Sequence, residues 1–312
     1  MSNSRELKSN SAGRIIWKII AYILLSLFAF FMLFPFYYMI VTSLVDVKPF
    51  NEAQAAGTIM LFPTSDAFTF KNYASVFSMA GQSGQMGGFV VYFLNTLFVA
   101  LVSTTVTIVT TLLAAFAFAR LNFRGKNLLF MVILATMMVP GEMMVITNYQ
   151  STAAFGWLNS FSALIFVHGI AVFYIFYLRQ TFQQIPNELY LASKVDGYSD
   201  FQYFMKVMVP LASPTIITIV ILSVMGAWNS FIWPQLVAPG YNPVLYGLSD
   251  GKIKWTMKLV TNGVMAMFAS EFSDNIPARL AASLVTTIPL FIIFACFRKK
   301  IMTGVSRSGI KG

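Results

Sequence analysis

Long apolar runs separated by short polar or basic stretches set the pattern of this chain. A helix needs roughly 20 apolar residues to cross the hydrocarbon core of a membrane. Six runs are of that order: Ile19–Leu44, Phe89–Ala119, Leu128–Val145, Phe161–Leu178, Leu211–Val237 and Leu280–Phe297. Backbone polar groups inside lipid must be satisfied within their own segment, so each run predicts a helix. Pro35, Pro140, Gly169, Pro214, Gly226 and Pro289 interrupt the runs. A proline frees a carbonyl and can kink its helix, or it is simply tolerated, as membrane helices often allow.

The stretches between runs differ in character. Asp46–Gly88 holds Pro49, Pro63 and the glycines at 81, 84, 87 and 88, which predicts a loop with little regular structure. Segment 238–278 contains the apolar run Leu259–Ala269, which predicts a short helix lying at the membrane interface. Lys and Arg divide unevenly between the two sides. Fifteen fall on the side holding residues 1–18, the Arg120–Lys126 turn, the loop 186–214 with Arg179 before it, and the tail 301–312 with Arg298, Lys299 and Lys300 before it; six fall on the other. The excess of basic residues marks the cytosolic face. The fold class that results is an all-α polytopic transmembrane bundle of six spans, a single domain over 19–300, with both termini cytoplasmic.

Composition agrees with this picture. Charged residues make up 10% of the chain, against roughly 25% in a soluble domain. The net charge of +10 sits at the ends of apolar runs, which argues for a membrane surface and not for nucleic acid. The single cysteine, Cys296, excludes an internal disulfide.

Chemistry is sparse. His168, the one histidine, lies in the fourth run and is either a proton relay or a packing hydrogen-bond donor. No Cys/His cluster suggests a metal site. Gly125-Lys126 is followed by Asn and Gly251-Lys252 by Ile, so no phosphate-binding loop is present. The one acid inside the six runs is Glu142, near the end of the third. An ion-driven carrier normally keeps an acidic group near the bilayer centre. The chain has neither a nucleotide site nor a buried coupling charge, which places its energy source elsewhere.

The most structured polar segment is 186–214, PNELYLASKVDGYSDFQYFMKVMVPLASP. Asn187 is suited to an N-cap and Glu188 to the first turn of a helix running to Val195. Asp196-Gly197 stops it, because glycine accepts the left-handed backbone of a tight break. Ser199 and Gln202 form a capping box that restarts a second helix, expected to end before Pro210. Leu189, Ala192 and Val195 recur every three residues, giving one narrow apolar face. That face either docks in a partner groove or packs on its own bundle.

These residues resemble a known family. Pro186, Glu188-Leu189, Ala192, Asp196-Gly197, Phe204, Pro210-Leu211 and Pro214 resemble the signature loop of the inner-membrane permease subunits of binding-protein-dependent ABC importers. Where that family usually has Glu-Ala-Ala, this chain has Leu191-Ala192-Ser193. Asn95-Thr96, the run from Ala114 to Lys126, Trp228-Asn229-Ser230-Phe231 with Pro234, and the ending Gly304-Val305…Ser308–Gly312 are similar to other marks of the family. The tail points to its carbohydrate, MalG-like branch.

The resemblance implies a permease for a sugar or oligosaccharide, working with a second permease, two ATP-binding subunits that hold ATP and Mg, and an extracytoplasmic solute-binding protein, in a bacterial inner or plasma membrane. It implies that Glu188, Ala192, Asp196 and Gly197 couple the bundle to the ATPase. No cofactor is expected in the chain itself. Asn95, Trp228 and Asn229 are candidates for the substrate pathway, because sugar sites pair amides with aromatic faces; packing between helices is the competing role. Lys252, Lys254 and Lys258 are candidates for contact with the binding protein or an acidic sugar, against a solvated loop face. Two alternatives stay open: a permease of the same family for another solute such as a glycerol-phosphate, and an autonomous channel or ion-coupled carrier.

Overall fold

A computed structural model describes residues 3–78, 85–86, 88–248, 254–270 and 275–306. It is nearly all helix and divides into two compact units.

The first unit comprises residues up to Val76 together with Glu271–Leu284. Helix α1, Asn3–Ser43, contains an apolar stretch from Ile15 in which no residue before Val41 is buried within the chain. Segment 46–88 is more regular than its prolines and glycines predict: it carries α2 (Val47–Ala55) and α3 (Lys71–Ser78). The Asp46 side chain caps α2 by accepting from the Lys48 N–H. Asn72 donates to the carbonyls of Ser43 and Val45 at 2.9 and 2.8 Å, which ties α3 to the end of α1. Pro49 falls in the first turn of α2, where its missing N–H costs no helical bond.

The second unit holds residues 77–270 and 285–312. Its axis is α4, Phe89–Arg120. There follow α5 (Lys126–Thr136), α6 (Gly141–Ala154), α7 (Phe161–Ile165), α8 (Val172–Gln183), α9 (Asn187–Val195), α10 (Asp200–Tyr203), α11 (Val209–Leu211), α12 (Ser213–Trp228), α13 (Ile232–Val237), α14 (Pro243–Leu248) and α15 (Val260–Ser270). Of these, α5, α7, α8, α12 and α15 pack against α4. Helix α16, Ile276–Ser306, contributes to both units. Two strands of two residues each, β1 (Gln85–Met86) and β2 (Lys254–Trp255), pair in parallel.

Only some of the predicted spans are unbroken. Ile15–Ser43, Phe89–Arg120 and Ile276–Arg298 are long and apolar enough to cross a membrane alone. The third run is split: α5 and α6 meet at 96°, with Pro140 at the head of α6. Proline has no N–H to continue the ladder and disfavours helix in the residue before it. The fifth run starts at a similar corner, where Asp200–Leu211 and Ser213–Trp228 meet at 77°, and it breaks again after Trp228. Pro35 and Pro289, by contrast, sit inside continuous helices.

The fourth run is not one helix either, since residues 166–171 lie between α7 and α8. Gly169 explains the break. A Cβ there would stand 2.9 Å from Val106 Cγ1 on α4, so only glycine lets the chain approach this closely. Its unpaired carbonyl accepts from Thr110 Oγ1 at 2.8 Å. That bond supplies an internal partner for backbone outside any helical ladder.

The run Leu259–Ala269 is helical from Val260, as expected, but α15 lies along α4 with Val260 and Val264, and Leu259 just before it, buried. A Cβ on Gly263 would fall 2.1 Å from the Tyr92 ring. Gly263→Ala should therefore overpack this seam and cost about 1–3 kcal/mol, lowering the thermal unfolding temperature of the detergent-solubilised protein.

Candidate functional site: a surface hairpin and a cavity on one helix

Segment 186–211 folds as the sequence pattern predicts in outline, with two differences. Asn187 is the first helical residue of α9 and not its cap, because Pro186, at φ −56°, occupies the cap position. Asn187 Oδ1 instead accepts from Arg120 Nη1 at 3.4 Å. The second difference is at Pro210. The chain does not stop before it but continues from α10 through a widened π-turn, Phe204–Met208, into α11. The Val209 N–H reaches five residues back to the Phe204 carbonyl. This wider turn admits Pro210 without ending the helix.

The break between the two helices is a Schellman turn. Gly197 has φ +79°; its N–H bonds the Lys194 carbonyl at 3.1 Å, and the Tyr198 N–H bonds Ser193 at 2.9 Å. The restart is a complete capping box: Ser199 N–H donates to Gln202 Oε1 at 2.8 Å and Gln202 N–H to Ser199 Oγ at 3.2 Å. A surface latch joins the two arms. Asp200 Oδ1 accepts from Tyr190 Oη at 2.9 Å and pairs with Lys194 Nζ at 2.7 Å. Its hydrogen bond holds the Lys194 ammonium above the ordinary lysine range.

The hairpin has two faces. On the inner one Tyr203, Phe204 and Met208 are buried against Phe116 of α4 and Leu178 and Phe182 of α8. On the outer one Leu191 and Val195 are exposed, Val195 by 88%, while Leu189, also exposed, borders a groove with Tyr177 and Pro214. Glu188, Ala192, Asp196 and Gly197 are all exposed along α9 and its terminus, so the four expected coupling residues cluster on one small surface.

Arg120 is a residue that pattern reasoning did not single out. Its guanidinium, at the last position of α4, donates to the Phe182 carbonyl at 3.2 Å, to the Ile185 carbonyl and to Asn187. One side chain therefore fastens the long axial helix to the end of α8 and the start of the hairpin. Nε of Arg120 and the Tyr203 hydroxyl are buried without a partner among the described residues.

Higher on α4 lies a cavity of about 260 Å³. Ser103 and Thr107 face it from α4, His168 and Tyr174 from the α7–α8 break and α8, and Ser230 and Trp233 from the region after α12. The His168 ring stands edge-on to Trp233 at 5.2 Å between centroids. Trp233 is fixed there by its indole N–H, which donates to the Ala163 carbonyl at 3.0 Å.

The three pathway candidates lie elsewhere. Asn95 is buried and its amide donates to the Thr256 and Lys258 carbonyls at 2.8 and 3.1 Å while accepting from Trp255 Nε1 at 3.0 Å. Trp228 donates to the Thr286 carbonyl at 3.1 Å and meets Phe93 edge-to-face. Asn229 returns its amide to Met225 within its own helical turn. None of the three lines the cavity. Lys252 and residues 307–312 of the tail motif lie outside the described residues.

Broken apolar spans around one long helix, with a latched hairpin on the surface, define a polytopic membrane transport component. The chain belongs to the family of binding-protein-dependent transport system inner membrane components, whose model matches residues 107–303. It is 30% identical over 293 residues to the inner membrane ABC transporter permease protein YcjP of Escherichia coli, covering 92% of this chain and 94% of that one. It is 26% identical over 284 residues to the arabinooligosaccharides transport system permease protein AraQ of Halalkalibacterium halodurans, covering 91% and 93%. Its fold matches a bacterial ABC transporter involved in the import of the acidic polysaccharide alginate, with a TM-score of 0.74 at 21% identity over 91% of this chain and 96% of that one.

Proposed function

We propose that this chain is one of two permease subunits of an ATP-driven importer that moves a sugar or oligosaccharide delivered by an extracytoplasmic binding protein. In this reading the bundle crosses the membrane six times with both termini in the cytosol, the bent pairs and the α7–α8 segment each serving as one crossing. ATP and Mg are bound by two separate ATPase subunits. The hairpin is the grip those subunits hold, with Glu188, Ala192, Asp196 and Gly197 as its coupling residues. Asn95, Trp228 and Asn229 serve the pathway by holding its walls.

One observation carries the proposal. The hairpin's inner face is buried against α4 and α8, while its outer face leaves Leu191 and Val195 in the open. Exposed apolar groups opposite an anchored face suit a surface that another protein covers. The family match and the sugar-permease relatives support the choice of partner and cargo. The test is gentle purification of the intact complex, with a photocrosslinker in place of Val195. A nucleotide-hydrolysing chain should be captured from that position. Capture of no such chain, in a complex that co-purifies without one, overturns the reading.

A further inference from the structure

The cavity beside α4 has a composition that specifies its occupant. Among the described residues, Thr107 Oγ1, the His168 ring nitrogens, the Tyr174 hydroxyl and Ser230 Oγ make no hydrogen bond within the chain, although all four residues line the cavity. Thr107 is only 4% exposed and sits well inside α4, more than three turns from either end. None of these polar atoms is sealed off: His168 is exposed, Tyr174 and Ser230 are half-buried, and each group opens onto the cavity, where an occupant can meet it. Four such groups converging on one space point to a ligand that offers hydroxyls in return, because hydroxyls and a neutral imidazole can each donate or accept.

Two further features narrow the chemistry. No Lys, Arg, Asp or Glu lines the cavity. A carboxylate or phosphate placed there would lose its hydration without gaining a counter-charge, which costs far more than moving a neutral group. The Trp233 and Tyr174 rings supply the flat apolar faces on which the C–H side of a sugar ring rests. The volume, about 260 Å³, is just under the usual range for drug-sized ligands and suits a single ring.

From this we infer that the cavity is a subsite, contributed by this chain, for one uncharged sugar unit. Thr107, His168, Tyr174 and Ser230 bind its hydroxyls, and Trp233 forms its wall. The inference rests on the importer reading and deepens it by excluding acidic saccharides and sugar phosphates from this site. That sets the chain apart from the alginate transporter whose fold it shares.

The test uses the complete complex, with its own partner subunits and binding protein, in proteoliposomes. The probes are neutral arabino-, xylo-, malto- and chito-oligosaccharides, with oligogalacturonate as the charged comparison. The wild type should import at least one neutral probe and exclude oligogalacturonate. Thr107→Val and His168→Leu should lower the amount of sugar moved per ATP hydrolysed about tenfold, the change expected for one lost hydrogen bond. Stimulation of ATP hydrolysis by the loaded binding protein should not change, which a merely structural defect would not allow. Thr107→Ser keeps the hydroxyl and should stay within about twofold of wild type. Neutral-sugar import with an unaltered ratio in both Thr107→Val and His168→Leu overturns the subsite alone. Import confined to oligogalacturonate also overturns it. If no probe is imported and none stimulates hydrolysis, the importer reading itself goes, and the subsite with it.

Discussion

Replacing Gly197 with valine should stop sugar import while the chain remains in the membrane and its partners still hydrolyse ATP. Gly197 closes α9 at φ +79° with no atom within 4 Å of where a Cβ would stand. The substitution therefore meets no steric contact, and its whole effect comes from the backbone. A left-handed conformation costs an L-residue roughly 1–2 kcal/mol, and a β-branched one is worst placed to adopt it. Escape from that cost opens the Schellman turn, releases the Lys194 and Ser193 carbonyls and lets α9 swing relative to α10. A docking surface misaligned in this way should lose at least about tenfold in uptake, since 1.4 kcal/mol is one order of magnitude in an equilibrium. Gly197→Asn should lose less, because asparagine tolerates this backbone better than other side chains. Uptake and ATP hydrolysis measured side by side decide the matter, and unchanged uptake in the valine variant counts against the hairpin as a grip.

The second large effect is expected at Arg120. Arg120→Ala removes the guanidinium donor from two backbone carbonyls and the Asn187 amide oxygen, of which the Phe182 carbonyl keeps a backbone N–H partner. A hydrogen bond to a charged group contributes roughly 1.5–3 kcal/mol, so a loss of about 3 kcal/mol in the stability of this corner is expected even if water replaces one partner. Arg120→Lys should recover only part, because an ammonium cannot span three acceptors as the planar guanidinium does. The unfolding temperature of the purified complex and the sugar carried per ATP are the two readouts. If lysine restores both fully, the fork geometry is irrelevant.

Much of the hairpin was legible in the primary structure because short-range chemistry decides it. Ser199 and Gln202, or Asp196 and Gly197, act over three or four residues, and those rules need no knowledge of the rest of the molecule. The same reasoning misplaced the cap at Asn187 because the residue's amide oxygen answers to Arg120, which is 67 positions away. It also ended the second helix at Pro210, where a widened turn carries it through. Apolar runs located the helices of the bundle but not their corners. Pro35 and Pro140 look alike in a hydropathy pattern, yet one sits within a continuous helix and the other at a right-angled bend. The break at Gly169 depends on Val106 and Thr110, neighbours only in space. The cavity was invisible for a related reason: its polar groups come from several segments far apart in sequence, each too mild to stand out as a motif. Of the amides and the indole that did stand out, Asn95 and Trp228 tie separate elements together, while Asn229 bonds only within its own turn.

The 32 residues of α4 run unbroken from Phe89 to Arg120, which bonds the start of the hairpin. Arg120 and Thr107 therefore lie on one rod, about 20 Å apart at 1.5 Å per residue. A rod transmits tilt without absorbing it, so the displacement felt beside Thr107 depends on where the fulcrum lies between the two. On the proposed reading, the stroke of the machine is set by the distance between a guanidinium and a hydroxyl.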